Sequence, residues 1–435
     1  MNILIIGNGF DLAHGLPTKY TDFLKFVEVI KQVISIRTTE DLQRIQWGDI
    51  HLQIKNIIQN KMGNISNNLF AQKDMWEELI ADNIWIDYFL HNPVYRKENW
   101  IDFEREIARV IKSLDNDMIF DDDKRYEIQD KVIDLTNVFL EEKYSEYLRP
   151  DCCPNDLKQE AGGEITFEEI RNKMYADLNK LIRGLEIYLT EYVGKIKCTM
   201  YSEDIKDIAT QVVINDKGQT RMRICRVVCF NYTDTYEKIY MDKKQYQERI
   251  DYIHGKACIN NTIQTNNMVL GIDEYLEDNR KNRDIEFIAF KKYYQRIHKE
   301  TGCKYKEWVE TIRSDQEEYI KRKAEVAQRE KIYKEDDMYA LKNRIEKLKN
   351  DKSKNHYVYI FGHSLDITDG DILKDLILND NVYTTIYYLN KEVMGQQIAN
   401  LVRVIGQEEL IKRTGGSTKT IEFKLQRDMT IYDNE

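Results

Sequence analysis

The chain opens with a short apolar run and a glycine-bearing turn, NILIIGNGFD at residues 2–11. Four consecutive aliphatic side chains, Ile3 to Ile6, are typical of a strand buried on both faces of a parallel sheet. The strand leads into Gly7-Asn8-Gly9, where glycines allow the backbone to approach a ligand or another loop closely. This stretch predicts the first strand of an α/β sheet, with a functional edge where the strand ends.

Further apolar runs of the same kind occur far along the chain. The strong ones are 226–230 (RVVCF), 357–361 (YVYIF) and 383–389 (YTTIYYL), and the weaker ones are 251–253 and 268–270. Each strong run ends in a short polar or glycine-bearing turn. Open α/β sheets bind their ligands at this edge, so the pattern predicts a Rossmann-like parallel sheet.

Two long helical insertions are predicted to separate these strands. The first covers 21–204, and its clearest helix begins at Thr166, with Glu169 at the spacing of a capping box. One face of that helix carries apolar residues at helical spacing, namely Phe167, Ile170, Met174, Leu178, Leu181, Leu185 and Tyr188. The predicted nucleotide-binding core comprises 1–20, 205–273 and 352–425.

The second insertion, 274–351, is rich in Lys and Glu. Its end has apolar residues three or four positions apart, at Met338, Leu341, Ile345 and Leu348, but the pattern is too short for a coiled coil. A helical hairpin packed on the core is favoured over an oligomerisation arm. The charged stretch 315–350 is read as a solvated helix face.

Composition excludes several classes of protein. The net charge of −10 argues against binding of nucleic acid or anionic membranes through bulk charge. No apolar run approaches the length of a membrane span, and the N-terminus lacks the charged region of a signal peptide. The 7 cysteines, including the adjacent Cys152 and Cys153, are scattered and show no metal-ligand spacing. They indicate reduced thiols, so we expect a cytoplasmic protein without a metal site.

Five short motifs appear in the order in which sirtuins carry theirs. Gly7, Gly9, Gly15, Leu16 and Pro17 fall on the sirtuin frame G-A-G-x-S, three residues, G-[IL]-P, with Asp11 in the place of Ser. FNYTD at 230–234 resembles the sirtuin segment that carries a functional Asn, and IHG at 253–255 resembles the one that carries the catalytic His. The remaining two motifs are FGHSL at 361–365 and LNKE at 389–392. Taken singly each is weak, since a lone G-x-G is more often just a tight turn.

The sequence GNGFDLAHGLPTKYTDF at 7–23, together with the segments FNYTDT, IHG and FGHSLDITD, resembles the AbiH family of bacterial abortive-infection proteins. That resemblance implies a sirtuin-like nucleotide fold used in anti-phage defence, with NAD as substrate or ligand. Two departures make protein deacetylation improbable: only Cys258 and Cys303 lie where sirtuins have a four-cysteine zinc ribbon, and the sirtuin D-F-R arginine has no counterpart. The function expected is hydrolysis of NAD(+) to ADP-ribose and nicotinamide.

This reaction fixes the roles expected of the motif residues. His254, of a residue type with a reference pKa of about 6.5, is the predicted base, and Asn231 is predicted to orient water or a ribose hydroxyl. Asp11 is predicted to face the ribose or to stabilise developing positive charge. Residues predicted to bind the dinucleotide are Gly7, Asn8, Gly9, Phe10, Pro17, Gly362, Ser364 and Asn390.

Structural roles compete with several of these. His14 and His363 are as well suited to buttress their turns as to act in a site. Asn231 and Asn390 could form turns, whereas Asp234 and Asp369 look like helix N-caps. Glu104 could reach the site but stands in a helix whose neighbours are core residues.

A second reading is a nucleotide-binding sensor or toxin that does not turn NAD over and acts through a protein partner. In either case the helical insertions are the places where a homo-oligomer, a phage trigger or a partner protein could act. A nuclease is the least attractive alternative, given the acidic charge and the lack of metal spacing.

Overall fold

The computed structural model describes residues 1–36, 41–62, 72–116, 118–120, 126–128, 157–158, 164–165, 167–210, 212–214, 220–222, 225–241, 249–276, 280–336, 343, 345–346, 353–416 and 419–431. Cys152, Cys153, Thr166, Met338, Leu341 and Leu348 lie outside them, so the readings of those residues are not addressed. Within the described ranges, no helix has the length and apolar character required to cross a bilayer.

Six strands form the main sheet. They are β1 (Asn2–Ile6), β2 (Cys225–Cys229), β3 (Ile250–Tyr252), β4 (His356–Phe361), β5 (Val382–Tyr388) and β6 (Ile421–Leu425). Every neighbouring pair is parallel, in the order β3-β2-β1-β4-β5-β6. This is the strand order of the dinucleotide-binding Rossmann sheet. Successive strands are added on one side of β1 up to β3 and then on the other side from β4, so the strand order reverses between β1 and β4. The predicted α/β, Rossmann-like class with helical insertions is confirmed.

The α-helices of the described residues follow in chain order. They are α1 (Asn8–Ala13), α2 (Tyr20–Ser35), α3 (Leu52–Met62), α4 (Lys73–Ile80), α5 (Ile84–His91), α6 (Pro93–Glu98), α7 (Phe103–Asn116), α8 (Phe167–Ile187), α9 (Glu203–Ala209), α10 (Thr235–Tyr240), α11 (Lys292–His298), α12 (Tyr305–Asp336), α13 (Gly370–Ile377), α14 (Lys391–Ile405) and α15 (Gln407–Thr414). Short antiparallel pairs join Met118–Phe120 to Tyr126–Ile128, Leu157–Lys158 to Glu164–Ile165, Val212–Ile214 to Thr220–Met222, and Met200–Tyr201 to Thr430–Ile431.

The chain divides into two compact units. The sheet unit comprises Met1–Gly15, Cys198–Ile253 and Gly302–Glu435, and the helical unit comprises Leu16–Lys197 and His254–Thr301. The predicted insertion 274–351 is therefore shared between them, because the chain passes from one unit to the other at Gly302. Its long helix α12 begins in the core of the sheet unit and is mostly exposed beyond Asp315. The charged stretch 315–350 was predicted to be a solvated helix face, and this is confirmed for residues 315–331, whose side chains are described.

Both faces of the sheet are covered, which explains why its strands are continuously apolar. Ile3 and Ile5 of β1 belong to one cluster, with side chains of α12, α13, α14 and α15. Leu4 and Ile6 belong to the other, with side chains of α1, α9 and α10. The four strong strand predictions match β1, β2, β4 and β5 within one residue at each end.

The weaker strand predictions had mixed outcomes. Residues 251–253 correspond to β3, but Met268–Leu270 is buried without pairing as a strand, so that prediction was wrong. The sixth strand is instead β6, an edge strand in which buried Ile421 is followed by exposed Glu422. Its alternating sequence, IEFKL, lacks the continuous apolar character that marks the inner strands.

In the helical unit, α8 buries Met174, Leu178, Leu181 and Leu185 of the predicted apolar face. Aromatic side chains fill the space against α2, α4 and α5. Phe26 packs against Trp76 and Tyr192, with ring centroids 5.3 Å and 4.5 Å away. These aromatic side chains form a large part of the buried core of the unit.

Candidate functional site

The loops that follow β1 and β4 touch where the strand order reverses. The amide of Gly9 donates a hydrogen bond to the carbonyl oxygen of Gly362 over 2.8 Å. A Cβ on Gly9 would stand 2.8 Å from the Gly362 Cα, and one on Gly7 would stand 2.9 Å from the Gly362 oxygen. The glycines are therefore needed for the two loops to pack together. Their predicted approach to a dinucleotide remains a prediction.

The residues between and after these glycines differ in exposure. Asn8, at the first position of α1, is exposed. The ring of Phe10 is fully buried and lies 6.2 Å from both the Phe361 and the Tyr236 rings, measured between centroids. Phe10 can therefore present only its backbone to a ligand.

Asp11 is an acid buried almost completely, at 1% exposure. Its Oδ2 accepts a hydrogen bond from the Thr233 hydroxyl over 2.6 Å, whereas Oδ1 has no hydrogen-bond partner among the described residues. Burial raises the pKa of Asp11 to about 6, although the hydrogen bond from Thr233 and the nearby Thr235 and Asn231 side chains act in the opposite direction. The carboxyl group is consequently poised to exchange a proton near neutral pH.

Asn231 stands two residues beyond the end of β2, which is the neighbour of β1 in the sheet. Its side chain is 5% exposed, and neither amide atom has a hydrogen-bond partner within the part of the chain that is described. The alternative of an Asx-turn is not adopted. The amide nevertheless lies close enough to Asp11 to favour the ionised carboxylate. Sequence reasoning selected Asp11 and Asn231 separately, and the fold brings them together.

Two threonines complete this group and were missed by sequence reasoning. The Thr235 hydroxyl donates to the Thr233 hydroxyl over 3.0 Å, and Thr233 donates in turn to Asp11. Both are visible in the sequence FNYTDT, but threonine is so common at helix starts that its position alone indicates only a cap. We call Asp11, Asn231, Thr233 and Thr235 the acid–amide cluster.

Other ionisable groups near the cluster are few among the described residues. Asp234 occupies the predicted N-cap position of α10, but its side chain pairs with Lys238 over 2.7 Å instead of capping. Asp234 also raises the pKa of Asp11 slightly. Cys198 is half-buried, and burial followed by the charge on Asp11 raises the pKa of its thiol.

His14 serves as a buttress. Its Nδ1 donates to the Phe10 carbonyl oxygen over 2.7 Å, and its Nε2 accepts from the Tyr240 hydroxyl over 2.8 Å, an assignment based on these partners. Burial lowers the pKa of His14, which favours this neutral form. The ring thus fixes the end of α1, next to Asp11.

The loop after β4 is held by His363. Nδ1 of His363 accepts a hydrogen bond from the Leu365 amide over 2.9 Å, and Nε2 lies 3.5 Å from the Asp369 carboxylate. Leu365 has a left-handed φ of 61°, which is uncommon for leucine. Asp369 occupies the predicted N-cap position of α13 without a capping hydrogen bond. Ser364 is exposed, and its carbonyl oxygen accepts from Asn400.

Asn390 is an N-cap. Its side chain is exposed and accepts a hydrogen bond from the Val393 amide at the start of α14 over 2.9 Å. The structure thus gives Asn390 a capping role, where the sequence suggested a turn residue. Its predicted contact with the adenosine half of a nucleotide remains a prediction.

Three predicted residues belong to the helical unit. His254 is buried, and its carbonyl oxygen accepts from the Val269 amide over 2.8 Å. Pro17 is buried and accepts a hydrogen bond from the Tyr188 hydroxyl over 2.8 Å. Glu104 forms an ion pair of 2.7 Å with the buried Lys292. The base role of His254 and the ligand role of Pro17 remain predictions.

The loop that follows His254 is attached to α8 by one buried carboxylate. Glu186 accepts hydrogen bonds from the Cys258 amide over 2.9 Å and from the side chains of Asn261 and Asn266. It also pairs with Arg183, which donates to the carbonyl oxygens of Cys258 and Ile259. Sequence reasoning did not detect this cluster.

Five of the cysteines lie within the described ranges. Cys198, Cys225, Cys229, Cys258 and Cys303 are free thiols. Within the described ranges, no three His, Cys, Asp or Glu side chains are grouped so that they could hold a metal ion.

Asp11→Asn is expected to stabilise the protein more at pH 8 than at pH 5. The native pKa of Asp11 is raised from 3.8 to about 6, so the stability that it contributes is fully present below pH 3.8 and is lost as the pH rises through about 6. From pH 5 to pH 8 the variant should gain about 1 kcal/mol relative to the wild type. Urea unfolding of both proteins at the two pH values measures this difference.

The exposed Asp371→Asn, in the first turn of α13, is the matched control and should show no such widening. An equal widening in both variants would contradict the attribution to Asp11.

A family model described as "Bacteriophage abortive infection AbiH" matches residues 3–388. No curated protein and no solved structure gives a significant match to the chain. The matched range includes the acid–amide cluster and five of the six sheet strands. The AbiH resemblance is confirmed, whereas the likeness to sirtuin NAD-binding motifs remains a prediction. The chain belongs to the bacteriophage abortive infection AbiH family, and abortive infection is the anti-phage role that this membership indicates.

Proposed function

We propose that the sheet unit binds NAD(+) at the carboxyl ends of β1, β2 and β4 and hydrolyses it to ADP-ribose and nicotinamide. The observation that carries the proposal is that, among the described residues, Oδ1 of Asp11 and both amide atoms of Asn231 are buried without a hydrogen-bond partner. Buried polar groups are almost always hydrogen-bonded, so atoms of this kind indicate a place for a water molecule or a ligand. They stand next to the strand-order reversal, where Rossmann sheets bind nucleotides.

The chemistry of the cluster suits the nicotinamide–ribose bond. Cleavage of this bond develops positive charge on the ribose and releases a neutral leaving group. The Asp11 carboxylate is about nine-tenths ionised at pH 7 if its pKa is about 6, and so stabilises that charge. The Asn231 amide offers both a donor and an acceptor to water or a ribose hydroxyl. Gly362, Ser364 and Asn390 are the proposed contacts of the adenosine half.

Measurement of NAD(+), ADP-ribose and nicotinamide tests the proposal, both with purified protein and in phage-challenged cells. The wild type should consume NAD(+), and Asn231→Ala and Asp11→Asn should each lower the rate by about 100-fold or more. Asn379→Ala, whose amide donates to the Asp375 carbonyl oxygen near the end of α13, is the matched control and should retain activity. All variants are first checked for folding.

No loss of NAD(+) with the wild type, in vitro or during infection, would contradict hydrolysis. If the protein then bound NAD(+) without consuming it, and Asn231→Ala left toxicity unchanged, the sensor reading would replace the enzyme. In that case the exposed part of α12 and the helical unit are the proposed surfaces for a partner, a phage trigger or a second copy.

A further inference from the structure

The two oxygens of Asp11 have different surroundings. Oδ2 accepts from Thr233, whose own hydroxyl accepts from Thr235, so the direction of the Thr233 hydroxyl hydrogen is fixed. Oδ1 is equally buried but has no hydrogen-bond partner in the described part of the chain. This hydroxyl chain holds the carboxylate in one orientation and leaves a single oxygen available to accept a proton.

A water molecule bound at Oδ1 would supply hydrogen-bond partners to the unpartnered atoms of Asp11 and Asn231. A buried water usually makes about three hydrogen bonds to polar groups that would otherwise lack partners. Oδ1 of Asp11 and Oδ1 of Asn231 can each accept one of its protons, while Nδ2 of Asn231 can donate to its oxygen. The second lone pair of the water then remains available for attack on an electrophile.

We infer that Asp11 is the general base that activates this water, and that Asn231 orients it. The inference deepens the proposed NAD(+) hydrolysis and rests on it. In the step, a water proton passes to Oδ1 of Asp11 as the water oxygen bonds to C1′ of the nicotinamide ribose. The C1′–N bond breaks, and its electron pair neutralises the pyridinium nitrogen, giving neutral nicotinamide. Release of the proton from Asp11 to solvent completes the turnover.

The electrostatic setting supports a base that works near neutral pH. Burial raises the pKa of Asp11 to about 6, and the nearby Asp234 acts in the same direction. Asp234 is itself paired with Lys238, and the described ionisable groups near Asp11 also include Cys198, whose thiol pKa is raised, and His14, whose pKa burial lowers. A general base is most effective when its pKa lies close to the working pH. The sequence predicts His254 as the base, so Asp11 and His254 are alternative candidates for this role.

The pH dependence of kcat/KM distinguishes them. With Asp11 as base, the wild-type profile should fall on the acid side with a pKa near 6. Thr233→Val should move this limb to higher pH, because the variant removes a hydrogen bond that lowers the pKa of Asp11. Asp11→Asn should lower kcat/KM by about 100- to 10,000-fold and abolish the limb.

An acid limb that Thr233→Val leaves in place and that only His254→Ala abolishes would overturn the inference and leave the hydrolase proposal intact. Absence of turnover by the wild type at every pH would overturn the hydrolase proposal and the inference with it.

Azide gives an independent test that a structural role would not pass. Azide is already an anion and attacks C1′ without losing a proton, so it needs no general base. Adding sodium azide to Asp11→Ala should raise nicotinamide release by about tenfold or more and yield the azide of ADP-ribose at C1′. Asn231→Ala, which retains the base, should show no comparable rescue. Equal failure of azide in both variants, with both folded, would contradict the base role.

Discussion

Glu186→Ala is expected to lower the free energy of unfolding of the helical unit by about 3–5 kcal/mol. The carboxylate is fully buried and accepts from the Cys258 amide, Asn261 and Asn266, while it neutralises Arg183. Its removal leaves an uncompensated cation and several buried donors without an acceptor, and each orphaned donor costs about 1–3 kcal/mol. The segment 258–266 should be the first to loosen.

Urea unfolding and hydrogen exchange of residues 258–266 measure this effect. Glu191→Ala is the matched control, because Glu191 belongs to the next helical turn and pairs with Lys61 near the surface. The control should lose no more than about 1 kcal/mol. Similar losses in both variants would show that Glu186 acts as an ordinary surface acid.

The same variant should change the titration of Lys299. Burial lowers the pKa of Lys299 to about 8, while the charge of Glu186 acts to raise it. Lys299 should therefore lose its proton more readily in Glu186→Ala.

Gly362→Ala is expected to destabilise the sheet unit by about 2–5 kcal/mol, since two penalties combine. Gly362 has a left-handed φ of 65°, which costs an L-residue about 1–2 kcal/mol. A Cβ at this position would also stand 2.1 Å from the Phe10 nitrogen, so the loops after β1 and β4 would have to separate. Such a shift would move α1 and with it Asp11.

Gly15→Ala separates the two penalties. Gly15 has a similar φ of 77°, but its Cβ would meet nothing within 4 Å. Thermal and urea unfolding should therefore show a loss of about 1–2 kcal/mol for Gly15→Ala and a clearly larger one for Gly362→Ala. Equal losses would mean that the close approach of the loops contributes little to stability.

The sequence predicted the inner strands well because both of their faces are buried. Ile3 to Ile6 face two different clusters alternately, so selection for apolar side chains acts at every position. Edge strand β6 has one buried face and resembles a loop, whereas Met268–Leu270 is apolar because a packed loop buries it. A local run of apolar residues indicates that a segment is buried, but burial alone does not specify which segments pair as strands.

In the candidate site, sequence reasoning found Asp11 and Asn231 but not the contacts between them. Thr233 reaches Asp11 across 222 positions of sequence, and Tyr240 reaches His14 across 226. Those contacts depend on how β1 and β2 align, which no local spacing records. The same reason explains why Glu186 escaped notice: its partners Cys258 and Asn266 lie 72 and 80 residues away.

The separation of neighbouring strands along the chain has a consequence for synthesis. β1 lies between β2 and β4 in the sheet, yet these strands begin at residues 225 and 356. At about 5–20 residues per second, a ribosome needs roughly 20–70 s to proceed from β1 to β4. Until then the acid–amide cluster lacks the loop against which Gly9 packs, and pairing over such distances is slow. Any activity that depends on the complete sheet is thereby withheld from the nascent chain until β4 has been made.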